Sequence, residues 1–167
     1  MRLRAGAPTD HGFLAAMLRE AAFPDDRLKS IAYVMARRDL AITVPDFSRR
    51  GDLAVIADRK GIDVGAAWCR AFTDREHSWG YLDPSTPEVG IAVVEEHRGQ
   101  GVGTALLDAL IGKARDNGWA GLSLCTDGSH GLDQGLYARA GFLRVGSLDN
   151  APDAVLMRLD FGTRDDR

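Results

Sequence analysis

The chain has 167 residues, 45% of them hydrophobic and 27% charged, and a formal net charge of −3. One soluble globular domain is the expectation at that length and composition, and a domain of that size needs neither a disulfide nor a metal to bury a core. A net negative chain lacks the basic face of a general nucleic-acid binder, no run of 18 apolar residues offers a membrane span, and the first residues carry no apolar leader core, so a cytoplasmic location is expected.

In chain order, residues 2–5 form a short strand. Pro8-Thr9-Asp10 opens a helix with Thr9 as its N-cap; Phe13, Leu14, Met17, Leu18 and Ala21 follow at helical spacing and Pro24 ends it. Asp25 or Asp26 caps a second helix over residues 25–41, carrying Leu28, Ile31 and Met35, with Arg37-Arg38 at its far end. Leu53–Ala57 and Ile62–Phe72 make a hairpin about the turn Asp58–Gly61, with Val64, Ala66, Trp68 and Phe72 on one face. Residues 73–87 are a long polar loop.

Glu88–Val94 is a strand with Val89, Ile91 and Val93 on one face and Glu88, Gly90, Ala92 and Val94 on the other. Gly101–Asn117 is the clearest helix, striped by Val102, Ala105, Leu106, Ala109 and Leu110. Ala120–Thr126 is a strand, Leu132–Ala140 a helix closed by Gly141, and strands begin at Phe142 and run over Ala154–Phe161. The sum is one α/β (α+β) domain over residues 1–162 with a mixed, mostly antiparallel sheet, followed by a frayed tail at 163–167. Cys69 and Cys125 read as free thiols in apolar runs, and His11, His77, His97 and His130 are too scattered for a metal site.

Glycine is over-represented, at 19 residues, or about 11% against a usual ~7%. Gly99, Gly101 and Gly103 alternate between a strand and the best helix, where their amides can point into one concavity at a helix N-terminus. Such a place suits a pyrophosphate, with Arg98 and the Thr104 hydroxyl as further contacts. The same glycines also serve a tight strand–helix turn that needs them for geometry alone. The order of strand, glycines and helix favours the anion site. A Rossmann pattern fails at Thr104, and a P-loop fails for want of Gly-Lys-Ser/Thr.

Val93-Val94 followed by Arg98-Gly99-Gln100-Gly101-Val102-Gly103 resembles the coenzyme A signature of the GNAT superfamily of N-acetyltransferases, Arg/Gln-x-x-Gly-x-Gly/Ala after a hydrophobic strand. Leu136-Tyr137-Ala138-Arg139-Ala140-Gly141-Phe142 is similar to the family's Leu-Tyr-x-x-x-Gly-Phe, and Leu3-Arg4 followed by Ala7-Pro8-Thr9-Asp10 is a weaker likeness. The resemblance implies a sheet of about seven strands flanked by about four helices and splayed between the fourth and fifth strands. It also implies acetyl-CoA as co-substrate. The backbone of Val93 and Val94 would pair with the pantetheine arm, and the amides of Arg98, Gly99, Gln100, Gly101, Val102, Gly103 and Thr104 would hold the pyrophosphate. Many relatives carry an Asn where this chain has His130, so either Asp127 or His130 replaces its pantetheine contact or the contact is absent. A homodimer is possible in such a family.

Amine acetylation needs a base, because an alkylamine is mostly protonated at neutral pH, and an acid for the departing thiolate. Glu88 is the candidate base, weighed against a solvated carboxylate at a strand end; Tyr137 is the candidate acid, weighed against a core aromatic. Cys125 is a less favoured acyl acceptor than direct transfer. The resemblance places acceptor selection in the second helix and the 73–87 loop, where Trp79, Tyr81 and Asp83 suit a cationic amine, although they equally fit a solvated loop or a dimer contact. The expected function is acetyl transfer to a primary amine of a small molecule or peptide. The alternatives are a non-catalytic acyl-CoA sensor and a transferase for a longer acyl-CoA.

Overall fold

The computed structural model describes residues 1–127 and 131–162. Its seven strands are β1 (Arg2–Ala5), β2 (Leu53–Arg59), β3 (Ile62–Arg70), β4 (Glu88–Val93), β5 (Gly121–Asp127), β6 (Leu143–Leu148) and β7 (Ala151–Asp160). They form one sheet in the order β1-β2-β3-β4-β5-β7-β6. Every neighbouring pair is antiparallel except β4 and β5. The mixed, mostly antiparallel seven-stranded sheet expected above is therefore present. Among the described residues five α-helices flank it: α1 (His11–Ala22), α2 (Ile31–Ala36), α3 (Arg38–Ala41), α4 (Val102–Asp116) and α5 (Gly131–Arg139). Among the described residues no helix is long and apolar enough to cross a membrane.

Strand alternation divides the core in two. On one face Val55, Ala57, Ala67, Cys69 and Val89 lie under Leu106, Leu107, Leu110 and Ala114 of α4, joined by Tyr137 of α5. On the other, Ala54, Ile56, Ala66 and Trp68 pack against Leu14, Met17 and Leu18 of α1 and Val34 of α2. The shared face predicted for Val64, Ala66 and Trp68 is broken by a bulge. Ala57 stands opposite Gly65 and Asp58 opposite Asp63, so Val64 has no partner on β2 and joins the α4-side core.

Two helix starts differ from expectation. Thr9 lies inside a 3-10 turn, Pro8–Asp10, and the Asp10 carboxylate closes that turn by accepting the Ala7 amide and a forked pair from Arg4. The predicted 25–41 helix is two short ones. Arg19 donates to the carbonyls of Asp26 and Lys29, which holds that connection as a loop. Ser30 then caps α2 by accepting the Tyr33 amide, and Arg37, in an extended conformation, separates α2 from α3. Downstream, buried Arg70 at the end of β3 gathers the 42–52 segment. It donates to the carbonyls of Ile42 and Val44 and to Asp46, and its Nε lies 3.0 Å from Asp52.

Gly90 sits across from Trp68, and a Cβ there would meet the indole at 2.4 Å. The Gly90→Ala variant is expected to lose about 1–3 kcal/mol in urea unfolding. Adding Trp68→Phe should recover part of that loss, because the two sites share one clash.

Candidate active site

β4 and β5 lie side by side at one registered pair, Glu88 opposite Ser123. There the Ser123 amide donates to the Pro87 carbonyl (3.0 Å) and its hydroxyl to the Thr86 carbonyl (3.1 Å). Beyond that point the strands part. The Val94 amide donates to Val64 (2.9 Å), so the backbone groups of alternate residues Ala92 and Gly90 also face β3. Those of Val93 and Ile91 consequently turn into the gap. Of the two residues expected to pair with a ligand arm, Val93 faces the gap, whereas the Val94 N–H is taken by β3. The Val93 carbonyl accepts Nε of Arg98 (2.9 Å), whose Nη2 reaches Glu20 of α1 (2.9 Å).

The chain leaves β4 through a 3-10 turn, Glu95–His97, and enters α4 through the glycines. Gly99 and Gly101 have φ of +68° and +79°, and a Cβ on either would stand in open space. Backbone conformation, not crowding, thus selects glycine at both positions. Gly103 has no such φ and lies inside the helix. The first helical bond of α4 runs from Ala105 to Gly101, so the amides of Val102, Gly103 and Thr104 have no partner within the helix. These orphaned donors, at the positive end of α4, fit a pyrophosphate. The side chains nearby have other work: Val102 is in the core, and Gln100 accepts from Arg59 and donates to the Glu96 carbonyl.

Glu88 occupies the closed end of the gap. Its side chain is on the α1 face of the sheet and only 8% exposed. Oε1 accepts the Gly80 amide at 3.0 Å, while Oε2 is buried without a hydrogen-bond partner. Burial pushes the carboxyl up to about 7, against the opposing pull of the Gly80 amide and the nearby Ser78 hydroxyl. It is therefore not a solvated carboxylate. Gly80 is wedged between the strands, since a Cβ on it would meet the Cys125 amide at 2.7 Å and the Glu88 carboxyl carbon at 2.9 Å.

The 73–87 loop docks on α3 beside this corner. Ser78 donates to the Asp39 carbonyl, and the Trp79 indole to the Asp39 carboxylate (3.1 Å). Tyr81 stacks on His77 (4.6 Å between ring centres) and donates to Asp74. Asp83 is not available as an open acceptor of positive charge, because Arg158 of β7 pairs with it at 2.8 Å and Ser85 bonds its other oxygen. Glu76 is likewise paired with Arg38 and Arg49.

Tyr137 is buried edge-on to Phe142 (5.8 Å). Asp127 ends β5 in an exposed position, opposite Ala154 of β7. His130 lies outside the described residues. Cys125 is half-buried, and burial followed by the Glu88 and Asp127 carboxylates raises its thiol to about 11, which disfavours a nucleophilic thiolate. Sequence reasoning missed Ser78 and Gly80. The only signal for Gly80 was a glycine beside an aromatic in a polar loop.

A splayed mixed sheet with orphaned helix amides at the mouth of the splay is the architecture of an acyl-CoA-dependent transferase. A model of the Acetyltransferase (GNAT) family matches residues 17–142, and the chain belongs to that family. The family's co-substrate is acetyl-CoA. No curated protein is significantly similar to the chain in sequence. Among solved structures, yncA of Salmonella typhimurium, with its cofactor acetyl-CoA, is 19% identical with a TM-score of 0.75, covering 98% of this chain and 95% of its own. A ribosomal-protein-alanine N-acetyltransferase from Brucella melitensis is 20% identical (TM-score 0.72; 96% and 99% covered). A phosphinothricin acetyltransferase from Sinorhizobium meliloti, in complex with acetyl-CoA, is 25% identical (TM-score 0.68; 96% and 88% covered).

The raised Glu88 value has a thermodynamic consequence. A carboxyl whose folded value exceeds its unfolded one stabilises the fold most below the unfolded value and loses that contribution as pH rises through about 7. The Glu88→Gln variant, neutral throughout, is expected to melt a few degrees above the parent at pH 8 and to lose that advantage at pH 5. Paired thermal scans at the two pH values check this.

Proposed function

We propose that the protein is an N-acetyltransferase that moves the acetyl group of acetyl-CoA directly to a primary amine of a small molecule or peptide, with Glu88 as general base. The observation that carries the reading is the Glu88 carboxyl itself. It is buried at the closed end of the β4–β5 gap, holds one oxygen free of partners, and titrates near neutrality. A base of that value takes a proton from an ammonium acceptor without being permanently ionised or permanently neutral at working pH.

The orphaned amides of Val102, Gly103 and Thr104, together with Gly99 and Gly101 in the left-handed region, support pyrophosphate binding. The gap-facing backbone of Val93 supports pairing with the pantetheine arm, and that pairing has to share or displace the Arg98 contact on the Val93 carbonyl. A gap-facing amide of β4 can donate to the thioester oxygen as charge develops there. Glu88 takes one proton from the acceptor ammonium, directly or through water, and the neutral amine nitrogen then forms the new C–N bond as the C–S bond breaks, giving its second proton to solvent water. Tyr137 is the proposed proton donor to the sulfur. Trp79, next to the Gly80 that holds Glu88, is the proposed wall of the acceptor site. The paired states of Asp83 and Glu76 remove the loop's main negative charges from acceptor recognition.

The rate should fall on an acidic limb with an apparent pKa near 7, because the active form is the carboxylate. Glu88→Gln should lower kcat by about a hundredfold or more and abolish that limb while acetyl-CoA affinity holds. Thiol release followed over pH with a panel of amines decides this; a parent that binds acetyl-CoA yet never releases thiol above the buffer rate is a sensor, not an enzyme. Gly101→Val places a β-branched residue at φ +79° and should eliminate acetyl-CoA binding measured by calorimetry.

A further inference from the structure

Glu88 is oriented from outside its own strand. Oε1 accepts the Gly80 amide at 3.0 Å with the Ser78 hydroxyl nearby, and Oε2 has no partner among the described residues. The other ionisable groups beside it do not orient it. Arg70, opposite Glu88 on β3, is committed to Asp46 and Asp52, and the Cys125 thiol of β5 is kept neutral by its raised value. Gly80 can serve from one place only, since it lies between the Cys125 amide and the Glu88 carboxyl with no room for a Cβ. A small displacement of the 78–80 segment would lengthen the Gly80 bond past useful range and release the carboxylate.

Asp39 of α3, 40 positions before Trp79, holds that segment. It takes both residues that precede Gly80. Its backbone carbonyl accepts the Ser78 hydroxyl at 2.8 Å, and its carboxylate Oδ2 accepts the Trp79 indole N–H at 3.1 Å. The carboxylate is itself fixed, because Nε of Arg37 donates to Oδ1 at 3.2 Å and Nη2 to Oδ2. The Arg37 fork first, and the indole after it, keep the Asp39 carboxyl below the usual carboxylate range against the opposing effect of burial. The indole bond is therefore charge-assisted. Packing alone does not fix Trp79, whose ring side is 39% exposed. The next ties of the loop, Glu76 to Arg38 and Arg49 and Asp83 to Arg158, lie farther along the chain from Gly80.

We propose that Asp39 is a positioning residue for the reaction: through Ser78 and Trp79 it holds the Gly80 amide on Oε1 of Glu88, so that Oε2 is the oxygen presented to the acceptor amine. The inference rests on the reading of Glu88 as base. It goes beyond that reading by giving a role to a residue of α3 that acts only through other residues.

The test is steady-state kinetics of the whole chain with acetyl-CoA and the amine of the panel that gives the fastest thiol release. Asp39→Ala removes the acceptor, and Trp79→Phe removes the indole donor while keeping an aromatic ring. Each should lower kcat roughly tenfold and leave acetyl-CoA affinity unchanged. The double variant should be no slower than the slower single, because both break one bond. Asp39→Asn, whose amide oxygen still accepts the indole, should keep most of the parent kcat. In a Glu88→Gln background Asp39→Ala should cost nothing further. Exchange of the Gly80 amide, followed by NMR, should quicken in Asp39→Ala and Trp79→Phe but not in Asp39→Asn. Should Asp39→Ala fail to fold, Trp79→Phe and Asp39→Asn carry the comparison. Single variants that keep the parent kcat overturn the positioning role and leave Glu88 as base. A loss that persists in full in the Glu88→Gln background does the same. A Glu88→Gln variant as fast as the parent overturns the base reading and this inference with it.

Discussion

Two parallel strands that touch at one pair and then separate set the conditions for everything else at this site. Pro87, Thr86 and Ser123 tie β4 to β5 at the closed end. Past it, each strand keeps its outer neighbour, β3 or β7, and loses its inner one. A sheet interior normally has no unpaired backbone, because a buried N–H or C=O without a partner is costly. The gap leaves the Val93 N–H and the backbone of Ile91 without a strand partner, and the proposed pantetheine arm would pair with them as an added strand does.

The same geometry explains the carboxylate. At the closed end there is no room for bulk water around Glu88, and the Gly80 segment fills what space the strands leave. One amide bond is too little to offset the lost hydration, so the acid form gains. The residue that costs the fold stability at neutral pH is the one proposed above as general base. The glycine at position 80 is part of that arrangement, because any side chain there would push Glu88 from the gap or part the strands further.

The α1 and α4 layers meet at Arg98. Its guanidinium links Glu20 of α1 to the Val93 carbonyl of β4, next to the amides at the start of α4. The mostly paired charges of the 73–87 loop make it a docked wall on α3, not a charged funnel.

Much was legible from local pattern. Alternation over Glu88–Val94 assigned its two faces, helical spacing located α4, and three alternating glycines after a strand marked the turn into α4, because each depends on residues near one another in the chain. The family resemblance, together with residue type and place, singled out Glu88 and Tyr137 as candidates. What it did not determine depends on contacts between distant segments. Arg19 binding the carbonyls of Asp26 and Lys29 turned a predicted helix into a loop and two short helices, and a bulge moved Val64 to the other face. Arg158, 75 positions away, neutralised Asp83. The burial that raises Glu88 and the wedge of Gly80 exist only once strands and helices are packed. Solvation and electrostatic pairing follow distance in space, which the order of residues along the chain does not supply.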